Sequence, residues 1–179
     1  MSPTPAIGTL DWQPASDHLD LLAPPVRAVI DTVPEAFVAA IDADLADTAA
    51  FCEAYEVPLE ASANCVVVAG RRADVTTTAA CLVLATDRAD INKTVRKHLD
   101  VRKISFAPMD DAVRETAMEY GGITPIGLPT EWPILVDEAV TRQDWIVIGS
   151  GIRGSKIIIP GSRAATLPRA EVLALTQSR

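Results

Sequence analysis

Uninterrupted apolar runs in the middle of the chain predict a β-hairpin. The first run, NCVVVAG, covers residues 64–70, and the second, TTTAACLVLAT, covers residues 76–86. The first run is rich in β-branched valines and is followed by the polar turn RRAD, which is typical of two paired strands. Because both runs are apolar at consecutive positions, we expect other elements to cover both faces of the hairpin.

Residues 33–58 have the spacing of an amphipathic helix. Phe37, Ile41 and Leu45 are four residues apart, and apolar residues continue this face further along the chain. The pattern predicts a helix, with a break near residues 42–47 that would divide it into two.

A second helix is predicted over residues 87–100. Its buried stripe consists of Ile91, Val95 and Leu99, and an aspartate at its start can cap it. The opposite face carries the densest group of basic side chains in the sequence, namely Arg88, Lys93, Arg96, Lys97 and His98. Such a face is either a solvated surface or a contact for an RNA backbone.

The remaining segments lack the regular β-α-β order of a Rossmann sheet. Strands are predicted at residues 101–108, 132–140, 144–151 and 155–161, a short helix at 109–121, and a closing helix or short turn at 165–177. This order predicts a mixed sheet with surrounding helices, a fold of the α/β or α+β class.

The start of the chain differs from the rest in its proline content. The first 32 residues hold five of the thirteen prolines, including Pro24 and Pro25, which exclude a continuous helix through that point. We interpret residues 1–32 as an extension that lies over a single domain of residues 33–179. Its candidate anchors are Trp12, Leu19, Leu21 and Leu22. A flexible tail is the alternative.

Composition predicts one cytoplasmic domain without a membrane partner. The chain has 179 residues, 49% of them hydrophobic, which is enough for a substantial core. A formal charge of −8 argues against general nucleic-acid binding, although it permits a local basic patch. The N-terminus has no signal-peptide pattern, and no apolar run approaches the roughly 20 residues that span a bilayer.

The three cysteines do not have the spacing of a zinc site. Cys52, Cys65 and Cys81 lie in apolar or helical runs, so we expect buried free thiols. No metal site is predicted.

Two glycine-rich loops are the main candidates for a functional site. EYGGITPIGLP, residues 119–129, contains three glycines and two prolines, and GSGIRGSK, residues 149–156, follows an apolar strand. Glycine permits close backbone approach and proline fixes the backbone, so such loops can direct amide groups at an anion or an oxyanion. Each loop could equally be a tight turn. The second loop does not match the Walker pattern of phosphate-binding loops.

The order of these loops resembles that in the YbaK/prolyl-tRNA-synthetase-associated family of aminoacyl-tRNA editing domains. YGGITPIGLP, then an apolar strand, then VIGSGIRGSKI carry the resemblance. The family hallmark, a glycine and a proline separated by three residues, runs here from Gly121 to Pro125. The similarity extends from about residue 43 to the C-terminus. It implies the fold of that family, a central mixed and partly barrel-like β-sheet with surrounding helices.

The resemblance implies a free-standing enzyme that hydrolyses the ester between a wrong amino acid and the terminal ribose of tRNA. Backbone amides of the glycine loop would hold the ester while a water molecule attacks and a ribose hydroxyl of the substrate assists. The partner would be the aminoacyl-adenosine end of tRNA, and an aminoacyl-tRNA synthetase is a further candidate partner. No cofactor is implied.

The implied site combines the first glycine loop with residues from other segments. The catalytic group comprises Gly121, Gly122, Ile123, Thr124, Pro125 and Lys156. The substrate-binding group comprises Asn64, Tyr120, Ser150, Gly151 and Arg153. The expected tRNA contacts are Arg88, Lys93, Arg96 and Lys97.

One position departs from the family pattern. Where members usually carry a lysine at the start of the first hairpin strand, this chain has Asn64, and a neutral amide cannot supply that positive charge. Lys156 could reach the same space from the other side, or it could face solvent. The alternative function is a catalytically silent module that binds an aminoacyl or nucleotide group. A purely structural domain would leave both glycine loops unexplained.

Overall fold

The computed structural model of the protein describes residues 3–176. Within them, the strands are β1 (Gln13–Pro14), β2 (Phe37–Ala40), β3 (Ala63–Arg72), β4 (Val75–Leu84), β5 (Lys103–Phe106), β6 (Ile134–Asp137), β7 (Ile146–Gly149), β8 (Ser155–Ile159) and β9 (Ala170–Leu173). The α-helices are α1 (Pro24–Arg27), α2 (Thr48–Tyr55), α3 (Arg96–His98), α4 (Met109–Thr116), α5 (Glu138–Thr141) and α6 (Gly161–Ala164). A π-helical segment, Ile91–Val95, leads directly into α3. Short 3-10 helices cover Ala15–Asp17, Leu19–Leu21, Ile30–Thr32, Ala43–Leu45 and Leu59–Ala61.

The strands form two sheets. The four-stranded sheet has the order β1-β2-β8-β7, and all its neighbours are antiparallel. The five-stranded sheet has the order β5-β3-β4-β6-β9, in which β6 is parallel to both of its neighbours. The predicted mixed α/β class is confirmed, and the two sheets do not close into a barrel.

The main hydrophobic core lies between the two sheets. Ile148 and Ile157 of the four-stranded sheet belong to one buried cluster with Leu82 and Val136 of the five-stranded sheet. The other face of the five-stranded sheet packs against the predicted helix, where Val95 is fully buried. Both faces of the predicted hairpin are therefore covered.

The hairpin itself is confirmed, and one part of its edge stays open. β3 and β4 pair from Ala63↔Leu84 to Arg72↔Val75. On the outer side, β5 pairs only with residues 68–71 of β3. The first residues of β3 thus have no strand beside them on that side, and this open edge becomes one wall of a cavity.

The predicted helix over residues 33–58 is wrong in its first half. Residues Phe37–Ala40 form β2, which pairs with β1 on one side and β8 on the other. Three of its four residues are buried, as expected for a strand with partners on both edges. Ile41 and Leu45, the other two residues of the four-residue spacing, lie beyond the strand and are half-buried. The second half is confirmed as α2, which follows the predicted break.

Of the predicted closing helix or short turn at residues 165–177, the helix is wrong, whereas residues 165–169 do form turns. Residues 170–173 form β9, an edge strand parallel to β6. The backbone of β6 offers hydrogen-bonding groups along its open edge, and pairing with them outweighs the local preference of this segment. Residues 177–179 lie outside the described residues.

The proline-rich start of the chain takes part in the packing. Leu22 and Ile30 belong to the main core, and Trp12 is buried in a second cluster with Phe51. Leu21 is half-buried, whereas Leu19 is exposed. Helix α1 begins at the two prolines, whose missing amide hydrogens are not needed in a first turn. The domain boundary after residue 32 stays a prediction, and residues 1–2 lie outside the described residues.

Candidate functional site

A cavity of about 320 Å³ lies where the two sheets meet the first glycine loop. Its walls come from the start of α2, the open edge of β3, the end of β5, the first glycine loop and the ends of β7 and β8. The lining residues include Asp47, Thr48, Ser62, Asn64, Cys65, Phe106, Tyr120, Gly121, Ile123, Gly149 and Lys156. The volume is at the lower end of those that hold small molecules.

The two glycine-rich loops pack backbone against backbone. The amide of Gly151 donates to the carbonyl of Gly122 at 2.7 Å. A Cβ atom at Gly149 would collide with the carbonyl oxygen of Gly122 and would lie 2.9 Å from that of Ile123. Glycine at position 149 therefore permits an approach that any other residue would block.

Three residues of the first glycine loop that line the cavity, Tyr120, Gly121 and Ile123, have a backbone amide without an acceptor within residues 3–176. The amide of Gly122 donates to the carbonyl of Glu119 at 2.9 Å. Gly121 has a φ of +88°, a conformation that favours glycine.

Arg153 fixes the first glycine loop to the start of α2. Its Nη1 atom lies 3.3 Å from Asp47 Oδ1 and 3.3 Å from the carbonyl oxygen of Tyr120. Its backbone amide donates to Glu119 Oε1 at 2.7 Å. The guanidinium covers Gly121, where a Cβ atom would collide with it. Arg153 thus positions the loop from outside the cavity wall.

Lys156 lies in the cavity wall and is only 8% exposed. Its Nζ donates to the carbonyl of Ala46 at 2.8 Å and lies 5.1 Å from the centre of the Phe51 ring. Burial lowers the pKa of Lys156 to about 8; Cys52 and Asp47 act in the opposite direction, and the Arg153 charge lowers it further. The alternative of a solvent-facing lysine is wrong.

Asn64 faces the cavity from the open edge of β3. Thr48 Oγ1 donates to Asn64 Oδ1 at 2.6 Å, which orients the side-chain amide. Within the described part of the chain, the Asn64 Nδ2 group has no acceptor of its own. The cavity wall therefore has a side-chain donor here in addition to the unpaired loop amides.

The family model for aminoacyl-tRNA editing domains matches residues 42–166, which is more than half of the chain. The chain belongs to this family. No curated protein matches its sequence.

Solved structures share the fold at low sequence identity. A candidate trans-editing enzyme for prolyl-tRNA synthetase is 18% identical, with a TM-score of 0.74 over 88% of this chain and 99% of that one. A scaffold protein used for computational epitope grafting is 17% identical, with a TM-score of 0.75 over 87% and 97%. A hypothetical protein is 16% identical, with a TM-score of 0.66 over 74% and 85%. At these identities the likeness concerns the fold alone.

Several predicted site residues of this editing domain lie outside the cavity wall. Ser150 is fully buried, and its hydroxyl lies 3.1 Å from the carbonyl oxygen of Ile152 and 3.2 Å from that of Ser155. Gly151 packs against Ala23. The other predicted catalytic and substrate-binding residues that do not line the cavity are Gly122, Thr124, Pro125 and Arg153.

The second half of the first glycine loop lines a separate apolar cavity. This second cavity, of about 260 Å³, lies between the loop and the start of the chain, and Pro125, Val33 and Trp132 are among its lining residues. Thr124 is buried, and its Oγ1 has no hydrogen-bond partner in the described part of the chain. These residues hold the loop in place.

The predicted basic helix face lies apart from the cavity. Arg88, Lys93, Arg96 and Lys97 are exposed and do not line the cavity. The helix packs through Ile91 and Val95 on the sheet face that carries Val68, Cys81 and Val83. That face is opposite to the one that meets the main core. His98 pairs with Glu171 at 3.1 Å.

The sequence-based prediction of the site missed most of the lining residues, including Asp47 and several residues with polar, sulfur-containing or aromatic side chains. Thr48, Ser62, Cys65 and Phe106 line the cavity, and only Phe106, an exposed aromatic residue, carries a signal of function. The others reach the site because distant segments meet there.

The thiols near the cavity are protonated. Burial raises the pKa of Cys65 and of Cys81 to about 12. Burial also raises the pKa of Cys52, whose side chain is hydrogen-bonded to Ser62. All three are free cysteines, as the sequence predicted, and none is ionised near neutral pH.

Residues 3–176 contain neither a metal-ligating cluster nor a helix that could span a membrane. No group of three or more histidine, cysteine or carboxylate side chains there could hold a metal ion. In the same residues, no helix has the length and apolar character needed to cross a bilayer.

Proposed function

We propose that this protein is a free-standing aminoacyl-tRNA deacylase that hydrolyses the ester of mischarged tRNA in trans. The observation that carries the proposal is a cavity lined both by a buried lysine and by Gly121 and Ile123, whose backbone amides are unpaired within residues 3–176. Membership of the editing-domain family supports the same reaction.

In the proposed reaction, water attacks the carbonyl carbon of the ester, and the carbonyl oxygen becomes an oxyanion. The amides of Gly121 and Ile123 stabilise that charge without side-chain movement, which is the role of an oxyanion hole. The neighbouring ribose hydroxyl takes part in proton transfer from the water. The bond to the ribose oxygen then breaks, and the ribose oxygen gains a proton as the free amino acid leaves.

Lys156 supplies positive charge in place of the family lysine that Asn64 replaces. Its ammonium group is already bound to Ala46 and covered by Phe51, so it acts from a fixed position. Charge in a site with little water exerts a stronger electrostatic effect than charge at the surface. Asn64 contributes its Nδ2 hydrogens to the same substrate group. Thr48 keeps the Asn64 side chain in this orientation.

The remaining predicted residues have supporting roles in this proposal. Tyr120 forms part of the wall beside the aminoacyl group. Gly122, Thr124 and Pro125 maintain the conformation of the first glycine loop, as do Ser150, Gly151 and Arg153 from the second loop. The basic helix face contacts the acceptor stem of tRNA.

The test is release of amino acid from a panel of correctly and incorrectly charged tRNAs, with wild type and Lys156→Met side by side. We expect the wild type to deacylate a mischarged species preferentially and Lys156→Met to lose at least about tenfold in rate, since one charged group leaves the site. Equal activity in Lys156→Met would remove the role of that lysine. No hydrolysis of any tRNA by the wild type would overturn the proposed function.

The presence of Asn64 in the cavity favours a second candidate function. A site without the usual lysine could bind an aminoacyl or nucleotide group and leave the ester intact. Saturable binding of aminoacyl-tRNA with no release of amino acid would support this binding module over the deacylase.

A further inference from the structure

A single carboxylate lines the cavity beside the first glycine loop. Within residues 3–176, Asp47 is the only acidic residue in the cavity lining, and Lys156 is the only basic one. The Asp47 side chain is 77% exposed, so its carboxylate lies at the mouth of the cavity, whereas Lys156 is buried in the wall. The cavity therefore offers a negative charge to a ligand that enters it.

The Asp47 carboxylate is not used to cap its helix. Asp47 is the N-cap of α2, yet its side chain accepts no hydrogen bond from the helix, although an aspartate at this position usually accepts one from an amide of the first turn. Oδ1 instead accepts from Arg153 Nη1 at 3.3 Å. Oδ2 has no hydrogen-bond donor in the described part of the chain. One carboxylate oxygen is thus available to a ligand.

The carboxylate lies next to a backbone amide that is proposed to hold the ester. Asp47 Oδ1 lies 3.7 Å from the position that a Cβ atom on Gly121 would occupy. In an aminoacyl ester, the α-ammonium group is bonded to the carbon next to the carbonyl. A carbonyl held by the Gly121 amide therefore brings the ammonium group close to Asp47.

The buried lysine increases the need for a negative charge beside the substrate. An α-amino group is mostly protonated below pH 7, so the substrate brings a second cation into a cavity that already contains Lys156. The Lys156 Nζ group is bound to the carbonyl of Ala46, the residue before Asp47. Two cations in a site with little water repel each other strongly, and a carboxylate beside both reduces this repulsion.

We propose that the Asp47 carboxylate binds the α-ammonium group of the aminoacyl ester, so that the cavity selects esters with a free amino group. Arg153 holds the carboxylate through Oδ1, and Oδ2 accepts a hydrogen bond from the ammonium group. The inference rests on the proposed function and identifies the substrate group that this carboxylate recognises.

The test compares two stable analogues of aminoacyl-adenosine in which a 3′-amide replaces the ester. One analogue carries an alanyl group, and the other carries a lactyl group, in which a neutral hydroxyl replaces the ammonium group at nearly the same size. Alanine has the smallest side chain of the chiral amino acids, so it makes the least demand on the volume of the cavity. Affinities are measured by NMR titration at about pH 6.5, where the amino group is charged.

The variants are Asp47→Asn and its matched control Glu53→Gln, each of which removes one negative charge. Asparagine is also favoured at helix N-caps, so Asp47→Asn should retain α2. Glu53 lies on α2, is exposed and does not line the cavity.

We expect the wild type to bind the alanyl analogue about fivefold more tightly than the lactyl analogue, which is the upper range for a partly exposed ion pair. Asp47→Asn should bring the two affinities to within about twofold of each other, because the ion pair is lost. Glu53→Gln should keep the wild-type ratio.

Equal affinity of the wild type for both analogues, no binding of either, or an unchanged ratio in Asp47→Asn would overturn the inference. An equal loss of preference in Glu53→Gln would also overturn it, since net charge rather than a contact would then set the ratio. Hydrolysis of charged tRNA, measured in parallel, separates this result from the proposed function. Hydrolysis with an unchanged ratio in Asp47→Asn would reject only the role of Asp47. An alanyl preference that Asp47→Asn removes, without hydrolysis of any tRNA, would reject only the deacylase.

Discussion

At the scale of single residues, Lys156 places a positive charge in the cavity wall. A lysine buried to this extent favours its neutral form, and the pKa is lowered from 10.5 to about 8 because burial removes the ammonium group from water. The hydrogen bond to Ala46 and the Phe51 ring compensate in part. Near neutral pH the group is still mostly charged, whereas an ordinary lysine would stay charged well above pH 9.

This lowered pKa predicts an unusual pH profile for ester hydrolysis. Lys156 is protonated below its pKa, so the charged fraction falls from about nine-tenths at pH 7 to about half at pH 8. We expect enzymatic kcat/KM to decline as pH rises from 7 through 8 to 9, once uncatalysed hydrolysis is subtracted. The Lys156→Met variant should lack this decline. A wild-type kcat/KM that stays constant up to pH 10 would show that the charge on Lys156 plays no part in ester hydrolysis.

The first glycine loop can be recognised from the sequence because its motif consists of neighbouring residues. Gly121 to Pro125 form a recognisable motif, and the positive φ of Gly121 is the kind of requirement that glycine meets. Ser150 was also proposed from its position in a loop, yet its hydroxyl is used within the loop itself. The sequence of a loop predicts that the segment has an unusual backbone conformation. It does not predict the direction of each side chain, because that depends on contacts with distant segments.

At the scale of secondary-structure elements, the start of the chain behaves as part of the core. Leu22 is 1% exposed and packs in the main cluster, whereas Leu19, three residues earlier, is 44% exposed. Strand β1 pairs with β2. The elements before residue 32 therefore contribute to stability as core elements do.

Leu22→Ala and Leu19→Ala form a matched pair that measures this contribution. Leu22→Ala should lower the free energy of unfolding by about 2–5 kcal/mol, since it removes a buried side chain and leaves a cavity. Leu19→Ala should stay within about 0.5 kcal/mol of wild type. Urea denaturation followed by circular dichroism gives both values. Equal small effects would show that the start of the chain does not stabilise the domain.

Sequence patterns predicted the hairpin and the 91–98 helix correctly but not β2 or β9. The hairpin and the helix carry strong local patterns, which are apolar runs in one and a stripe with helical spacing in the other. β2 depends on two partners that lie far away in sequence, β1 and β8, and β9 depends on β6. Such pairing is decided by tertiary contacts, which overrule local preference.

At the scale of the whole molecule, charge is distributed unevenly over an acidic protein. The cavity lies at the junction of the two sheets, while the basic helix face lies on the outer side of the five-stranded sheet. An RNA that reaches both would pass around the edge formed by β5. A net charge of −8 disfavours non-specific binding of nucleic acid, so the proposed contact with RNA depends on local basic surfaces.

Lys93→Gln/Lys97→Gln tests the helix face as a tRNA contact. If both lysines pair with phosphates, tRNA affinity should fall and the salt slope should decrease by about 1 for each lost contact. The free energy of unfolding should change little, because both residues are exposed. Filter binding of tRNA at several salt concentrations measures the slope. An unchanged slope would identify this face as a solvated surface.

The proposed catalytic site consists mainly of backbone groups. Hydrolysis of a mischarged tRNA by Gly149→Ala, compared with hydrolysis by Gly154→Ala, tests this composition. A Cβ at Gly149 would push against the carbonyls of Gly122 and Ile123, whereas one at Gly154 would meet no atom within 4 Å. We predict that Gly149→Ala loses at least about 100-fold in rate, as for loss of one oxyanion donor, while Gly154→Ala keeps wild-type activity. Equal hydrolytic activity in the two variants, with both folded, would show that the contact between the two glycine loops is not needed for hydrolysis.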